Sequence, residues 1–212
     1  MSAVQIVGRR SSHFTRLALI VAEELQVPYE FVPIYAMTEL ARDVYAGNPA
    51  LKLPILRRGD AVLFGALNIC RALAESAPRT QNIVWPEQLH DDLSRNAQEL
   101  VWHCMSAQVQ LVMGTLVGKL PADNVFFVKT RTGIENSLQW LDAHHTRILE
   151  TLPRQRELSV YEASLFCLIE HLAWRRTMSV DAYPALRDFA RTFSARASAQ
   201  RTVYQFDTPP QS

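Results

Sequence analysis

The pattern of apolar residues changes once along this chain of 212 residues, and the change limits the folds open to it. In residues 1–76, short β-rich runs alternate with helical spacing in the order β-α-β-α-β-β-α. From residue 87 onwards only helical spacing is found. We therefore predict a small α/β domain over residues 1–76, a linker over residues 77–86 and an all-helical domain over residues 87–212.

The elements of the α/β domain follow from residue type and spacing. Aromatic and β-branched residues favour strands, and apolar residues three and four apart favour helices. The glycine-containing turn at residues 57–60 predicts a hairpin, and Pro28 is expected to end the first helix. The predicted strands are residues 3–7, 29–34, 53–56 and 61–64, and the predicted helices are residues 14–25, 39–45 and 67–74.

Two apolar stripes predict the first two long helices of the second domain, and the second stripe ends before Pro153. Ser159 and Glu162 fit an S-x-x-E capping box, which opens a run to Trp174 that is apolar nearly all round, as in a buried helix. Residues 207–212, with two prolines, are expected to be loosely held. The stripes are Leu93, Ala97, Leu100, Cys104, Ala107 and Leu111, then Ile134, Leu138, Leu141, His145, Ile148 and Leu152, and a further helix is expected over residues 184–197.

Composition excludes several classes of protein. Lys and Arg total 22 against 21 acidic residues, so there is no basic excess for nucleic acid. The longest apolar runs, such as Leu17 to Ala22, fall far short of the roughly 20 residues that span a bilayer. The chain begins with no charged-then-apolar leader, and no secretion is expected.

The three cysteines, Cys70, Cys104 and Cys167, lie among apolar neighbours without metal-ligand spacing. This arrangement indicates buried reduced thiols, a cytoplasmic protein and no metal site.

Five stretches, taken in order, resemble motifs of the cytosolic glutathione S-transferases. Residues 11–16 (SSHFTR) resemble both the S-P-F-x-R opening of many bacterial members and the S-S-C-S-W-R of the zeta class. Residues 48–56 (NPALKLPIL) are similar to the NPxxKVPxL stretch. The others are residues 63–73, similar to L-x-E-S-x-A-I-x-x-Y-L, residues 159–162, similar to the S-x-x-D box, and residues 183–186, similar to YPxL. The resemblance covers nearly the whole chain and implies a thioredoxin-like N-terminal domain, an all-helical C-terminal domain, glutathione as co-substrate and a homodimer.

The resemblance also implies that a serine at the start of the first helix stabilises the glutathione thiolate. A thiol of pKa about 8.5 is mostly protonated at neutral pH, and lowering that pKa by about two units needs about 2.7 kcal/mol. The positive end of the helix favours an anion, and a serine hydroxyl can donate a charge-assisted hydrogen bond to it. The S-P-F pattern makes the donor Ser12 and the S-S-C pattern makes it Ser11, with His13 beside the ligand in either case, and we favour Ser12. Serines at a helix start are also ordinary N-caps in proteins of any function.

The remaining glutathione contacts are carried over from the resemblance. Pro54 corresponds to the cis-proline of the family, which lets Leu53 pair with the peptide backbone of glutathione as an added strand. Lys52 lies where a cation would meet the glycyl carboxylate. These three residues are predicted to hold the tripeptide.

One departure from the family pattern affects the γ-glutamyl end of glutathione. The acidic residue and the serine that hold its amine and carboxylate are replaced by Gly65 and Ala66. Backbone N–H groups at the start of the next helix can still hold the carboxylate, and Asn68 is near enough to replace part of the loss. The amine loses a bond of about 1.5–3 kcal/mol, which lowers affinity about tenfold to a hundredfold.

These observations leave three functions open. The first is a transferase that conjugates glutathione to a small apolar electrophile, as in detoxification, with Trp102, His103 and Ser106 lining the electrophile pocket. The second is a non-catalytic scaffold of the same fold, favoured by the loss of both γ-glutamyl side chains. The third is a maleylacetoacetate-type isomerase, suggested by the S-S-x-x-x-R spacing although His13 replaces the cysteine.

Overall fold

The structure, a computed structural model, describes residues 4–78 and 81–209. The chain divides into two compact units, of which the first comprises residues 1–81 with residues 195–212 and the second comprises residues 82–194. Ala3, which was expected to begin the first strand, lies outside the described residues, as do residues 210–212.

The first unit is built on a sheet of four strands with two helices. The strands are β1 Val4–Gly8, β2 Tyr29–Pro33, β3 Ile55–Arg58 and β4 Ala61–Phe64, and the helices are α1 His13–Glu24 and α2 Ala66–Glu75. The strand order is β2-β1-β3-β4, with β1 and β2 parallel and the other pairs antiparallel. The parallel pair needs a crossover, which α1 supplies, whereas β3 and β4 need only a tight turn. The predicted thioredoxin-like α/β domain is confirmed.

A capping side chain sets the first residue of helix α1, and a residue in the left-handed region follows its last turn. Ser12 is its N-cap, and the Ser12 hydroxyl oxygen accepts the backbone N–H of Thr15 at 3.3 Å. Residues 17–22 are each at most 3 % exposed, so almost the whole circumference of the middle of the helix is buried. Gln26, with φ of 54°, turns the chain out of the helix ahead of Pro28.

The helix expected over residues 39–45 is not formed, and only one 3-10 turn, Arg42–Tyr45, is present. The Glu39 carboxylate accepts the next two backbone N–H groups, at 2.7 and 3.0 Å, which holds that part of the chain in a local turn. Ala46, with φ of 51°, then ends the 3-10 turn in the left-handed region. Side-chain capping at one end and a left-handed residue at the other leave too few residues for an α-helix.

A small apolar cluster fixes the segment between β2 and β3 to the sheet. Val7 of β1 and Ile55 of β3 are each at most 3 % exposed, and Tyr45 at 4 % covers them. The cluster consists of Val7, Ile34, Tyr45, Ala46 and Ile55, with Val32, Leu51 and Leu53 packed against it. The segment that leads into Pro54 is therefore held by burial although it is not helical.

Residues 195–209, which the sequence analysis assigned to the helical domain, pack with the first unit and are named here the return segment. The return segment contains a short helix, α7 Ala197–Arg201. The Arg196 guanidinium donates to both carboxylate oxygens of Glu24 at 2.8 Å. The expectation of a loosely held end is wrong for Asp207, whose side chain is 2 % exposed and bonded to Arg10.

The second unit is helical. Its elements are β5 Ile83–Val84, α3 Asp92–Leu111 with a π-helical continuation Val112–Val117, α4 Val125–Thr151, β6 Leu158–Ser159, α5 Val160–Arg175 and α6 Pro184–Ser194. The pattern predicted no strand here, yet β5 and β6 pair in parallel. Strands of two residues show no period, so periodicity cannot detect them.

The stripe predicted for α4 is confirmed, because all six of its members are at most 6 % exposed. The stripe predicted for α3 is only partly right, since Leu93 and Leu100 are half-buried while the polar Gln98 and Gln108 are at most 2 % exposed. The Gln108 side-chain amide donates to the Thr177 hydroxyl at 2.7 Å and also bonds to the His171 ring. Hydrogen bonding lets this amide occupy the buried face of α3.

The predicted capping box at the start of α5 is confirmed. The Ser159 hydroxyl accepts the backbone N–H of Glu162 at 3.0 Å and donates to the Glu162 carboxylate at 2.7 Å. The Arg156 guanidinium donates to the same carboxylate at 2.7 and 2.9 Å. Residues 165–169 are each at most 1 % exposed, as expected for a helix that is apolar nearly all round.

The three cysteines are free and buried, as the sequence predicted. Burial raises the pKa of the Cys104 thiol to about 11, so this thiol stays protonated at neutral pH.

One helical stretch of the described chain, Asp92–Val117, is long and apolar enough to cross a membrane by length and composition. A third of its most apolar window is buried inside the protein. One such helix is weak support for a membrane span, because core helices of soluble proteins pass the same test.

Candidate functional site

The register of the sheet brings three predicted site segments to one end of the sheet. Val7 pairs with Ile55, and Ile55 pairs with Phe64, so these residues form one row across three strands. The chain enters or leaves the sheet next to this row at each strand. The segments next to the row are residues 9–12, residues 52–54 and residues 65–66. The candidate glutathione contacts of the first unit therefore lie at a common edge.

Ser12 combines a structural and a chemical capability. Its oxygen accepts the Thr15 N–H, and because a hydroxyl also has a donor, the Ser12 O–H remains able to donate. The side chain is half-buried and lies where the first N–H groups of α1 and the positive end of its dipole are found. An anion at this helix start would meet a hydroxyl donor and a favourable field together.

Ser11 and His13 lie in more enclosed positions than Ser12. Ser11 is 3 % exposed, and its hydroxyl oxygen accepts Nε of Arg9 at 3.4 Å. His13 is 1 % exposed, and its ring centroid lies 4.7 Å from that of Phe14. Of the three side chains, Ser12 is the one that solvent reaches most readily.

Arg9 is a buried cation that the sequence analysis did not single out. It is 7 % exposed, and Nη1 donates to the carbonyl oxygen of Ile34 at 2.7 Å and to that of Tyr35. Burial lowers the pKa of the guanidinium, against the opposing influence of Asp207 and Tyr45. Arginine nevertheless stays charged at any physiological pH, so a positive charge is fixed beside the start of α1.

The sequence around Arg9 contains a feature that could indicate a buried arginine, but the same feature also fits an exposed one. Arg9 and Arg10 directly follow a strand that ends in the buried residues Val7 and Gly8. A polar pair before a helix is typical of an exposed turn, whereas the burial of Arg9 also requires the carbonyl groups of residues 34 and 35, which are distant in sequence.

Asn48 shapes the loop that leads into β3. Its side-chain amide donates to the Lys52 carbonyl at 2.8 Å, and its amide oxygen accepts the Ala50 N–H at 3.0 Å. The Leu53–Pro54 peptide bond is cis, as the resemblance implied. The Lys52 side chain is exposed and Leu53 is half-buried at the same turn.

The start of α2 carries no polar side chain at its first two positions. Gly65 is the N-cap, with φ of +87°, and no heavy atom lies within 4 Å of where its Cβ would be. Ala66 is the first helical residue, so backbone N–H groups are the polar groups there. The Asn68 amide donates to the Phe64 carbonyl at 3.4 Å and is thus directed to the local backbone.

Trp102, His103 and Ser106 form a group on α3 of the second unit. Trp102 is half-buried, and His103 and Ser106 are exposed. Ser106 lies three residues after His103 and four residues after Trp102, and these spacings place it next to both side chains on the helix surface. They lie apart from the buried face formed by residues such as Val101 and Met105.

Among residues 4–78 and 81–209, no group of three or more His, Cys, Asp and Glu side chains is placed to hold a metal ion.

Comparison with known proteins supports the same fold. Residues 6–81 match the family model described as "Glutathione S-transferase, N-terminal domain". Solved structures extend the likeness to nearly the whole chain. The fold is that of the glutathione S-transferases. No curated protein matches the sequence.

Three solved structures with the glutathione S-transferase fold illustrate the likeness. A glutathione S-transferase from Methylobacillus flagellatus KT with GSH bound is 20 % identical, covers 95 % of this chain and 99 % of its own, and has a TM-score of 0.73. A glutathione transferase family member from Pseudomonas fluorescens Pf-5 with bound glutathione is 19 % identical, with 96 % and 100 % covered and a TM-score of 0.77. The glutathione S-transferase of Methylobacterium radiotolerans JCM 2831 in complex with glutathione sulfonate is 17 % identical, with 100 % and 99 % covered and a TM-score of 0.76.

Proposed function

We propose that this protein is a glutathione-dependent transferase that joins the thiolate of glutathione to a small apolar electrophile. The observation that carries the proposal is the Ser12 hydroxyl at the start of α1, which accepts the Thr15 N–H and is still able to donate, at the same end of the sheet as residues 52–54. The neighbours with bound glutathione from Methylobacillus flagellatus and Pseudomonas fluorescens support glutathione as the ligand.

The chemistry begins with loss of the thiol proton of glutathione to solvent. The Ser12 O–H donates to the thiolate, and the dipole of α1 and the fixed charge of Arg9 favour the anion. The thiolate sulfur forms a bond to an electrophilic carbon, and the leaving group departs with its electron pair. With an activated double bond as acceptor, a solvent proton ends on the neighbouring carbon.

The tripeptide is held by the segments around the same end of the sheet. Leu53 offers its backbone N–H and C=O to the peptide of glutathione, and Lys52 meets the glycyl carboxylate. The backbone N–H groups from Ala66 onwards hold the γ-glutamyl carboxylate. Trp102, His103 and Ser106 contact the electrophile.

We further propose that the protein acts in the cytoplasm as a homodimer, in detoxification. Three buried free cysteines support a reducing compartment, since such compartments keep thiols reduced. Sedimentation equilibrium tests the dimer directly, and a single species at 24.1 kDa would refute it.

Titration calorimetry with glutathione, up to about 10 mM near neutral pH, is the first experiment. We expect saturable binding, because backbone groups at the start of α2 replace part of the lost γ-glutamyl contacts. An electrophile panel then follows, with conjugate formation measured by mass. An absence of binding heat across the range would refute the transferase.

A non-catalytic scaffold is the second candidate, and one observation favours it. The open space beside Gly65, together with Ala66, leaves the γ-glutamyl end without a side-chain partner at these two positions. Binding of glutathione with no conjugate formed from any member of the panel would favour this scaffold over the transferase.

A further inference from the structure

The return segment runs along the whole of α1 in the reverse direction. At the end of α1, Glu24 binds Arg196 and accepts the Ser198 hydroxyl. In its first half, Nη2 of Arg16 donates to the Ala199 carbonyl at 3.2 Å, and the Arg16 guanidinium lies 4.3 Å from the Tyr204 ring centroid. Contacts at the end of α1 and in its first half thus lead the return segment toward the helix start.

Asp207 is where the return segment reaches the start of α1. One oxygen of its carboxylate accepts the backbone N–H of Arg10 at 2.8 Å, and the other accepts Nη1 of Arg10 at 3.2 Å. The Asp207 side chain is 2 % exposed, and the Arg10 guanidinium also lies 4.2 Å from the Phe31 ring centroid. Because a buried carboxylate is stable only when paired, this arrangement defines the position of Arg10 closely.

Arg10 belongs to the tight turn that carries the two candidate serines. The Ser12 N–H donates to the Arg9 carbonyl at 3.0 Å, which closes the turn from one side. Asp207 binds the Arg10 N–H within the same turn, and Arg9 anchors it through the carbonyl groups of residues 34 and 35. Asp207 thus bonds to the turn that carries Ser12, although it lies 195 positions after Ser12 in the chain.

We propose that Asp207 is a positioning residue for the thiolate site: it holds the turn at residues 9–12 through the Arg10 N–H and so keeps the Ser12 hydroxyl aligned with the glutathione sulfur. This role rests on the proposed transferase function. A misplacement of about 1 Å can lower a reaction rate about a hundredfold, so loss of the anchor should be visible in turnover.

Two variants of Asp207 separate its hydrogen bond to the Arg10 N–H from the negative charge of its carboxylate. Asp207→Ala removes both, whereas Asp207→Asn keeps an oxygen that can accept the Arg10 N–H. Asp207→Ala should raise amide hydrogen exchange across residues 9–16 by about tenfold or more. It should also lower kcat by about tenfold to a hundredfold, while Asp207→Asn stays within about threefold of wild type.

The matched control is Arg201→Ala, which removes another ion pair between the return segment and α1. Arg201 binds Glu23 at 3.0 Å with its side chain 65 % exposed, away from the turn, so exchange at residues 9–16 and kcat should not change. Thermal unfolding of each variant shows that it is folded at the assay temperature.

Three outcomes overturn the proposal. Unchanged exchange at residues 9–16 in Asp207→Ala would show that Asp207 does not hold the turn, whether or not glutathione binds. Equal loss of kcat in the Asp207→Ala and Asp207→Asn variants would show that the loss comes from the missing charge or from lower stability, and not from the missing acceptor for the Arg10 N–H. If the wild type binds no glutathione, the proposed function fails and the link to the thiolate with it, whereas the exchange rates still decide whether Asp207 anchors the turn.

Discussion

The hydroxyl oxygen of Ser12 accepts the backbone N–H of Thr15, so one side chain both caps α1 and keeps a donor for a ligand. The two roles contribute to different quantities. The cap contributes to the free energy of unfolding, and the donor contributes to the stability of a bound thiolate. A substitution at Ser12 therefore affects stability and turnover for separate reasons, and each can be measured separately.

Ser12→Ala should lower the conjugation rate about a hundredfold, the usual consequence of removing one donor from a developing or bound anion. It should also lower the free energy of unfolding by about 0.5–2 kcal/mol through loss of the cap. Steady-state kinetics with a member of the electrophile panel and urea unfolding measure the two effects.

Ser159→Ala is the matched control because Ser159 caps α5 in the second unit in the same way, accepting the N–H of Glu162 at 3.0 Å. We expect a similar or larger loss of stability with no change in the rate per folded molecule. Equal rates in Ser12→Ala and Ser159→Ala would remove Ser12 from the mechanism and leave Ser11 as the donor.

Ala66→Ser should raise the affinity for glutathione about tenfold, because a hydroxyl at the first residue of α2 adds a hydrogen bond to a charged carboxylate. Calorimetry measures the change. Ala61→Ser makes the same substitution at the far end of β4 and should leave the affinity unchanged. Equal affinities for wild type and Ala66→Ser would mean that the γ-glutamyl carboxylate is not held at the start of α2.

Arg9→Gln should destabilise the protein by about 3 kcal/mol, because the buried carbonyl of Ile34 and the part-buried carbonyl of Tyr35 lose a charged donor. Arg57→Gln, at an exposed position of β3, is expected to change stability by less than about 0.5 kcal/mol. Urea unfolding of both variants measures the difference. A loss in Arg9→Gln no larger than that in Arg57→Gln would show that these hydrogen bonds do not hold the turn to the loop after β2.

Local signals predicted most of the fold. The stripe of α4 and the cap at Ser159 depend on residues three and four apart, and such neighbours are visible in the sequence itself. The cis bond before Pro54 was implied by the resemblance of residues 48–56 to a family motif, whose residues are also contiguous. The N-cap at Ser12 is also a local signal, since a serine before an apolar helix is typical of a cap. The donor role of Ser12, in contrast, was implied by the resemblance alone.

Contacts between distant residues were not predictable in this way. Asp207 binds Arg10 across 197 positions, and the two prolines after it suggested only a loose end. Arg9 is buried because carbonyl groups of another segment accept its hydrogens, and nothing in the sequence near Arg9 indicates those partners. Gln108 lies on the buried face of α3 because its side-chain amide donates to the Thr177 hydroxyl. A pattern based on apolar residues alone does not predict a buried glutamine.

The anchor between Glu24 and the return segment should make stability fall in acid. Burial alone would raise the pKa of Glu24, but the hydrogen bonds and charge of Arg196 and the bond from Ser198 outweigh burial and hold the pKa below its ordinary range. A lowered pKa in the folded state means that the contribution is fully present above the unfolded value of about 4.3 and is lost as the pH falls through the folded value. Glu24→Gln should therefore be less stable than wild type at about pH 7, and the difference should shrink toward about pH 3.

Urea unfolding of both proteins across this range measures the effect, and Arg196→Ala identifies its source. Without the guanidinium, the pKa of Glu24 loses its main lowering influence, so Arg196→Ala should remove most of the same pH dependence. The double variant should then differ little from either single variant, because the two residues act as one pair. Additive losses at Glu24 and Arg196 would contradict the pairing and would require another carboxylate to explain the acid response.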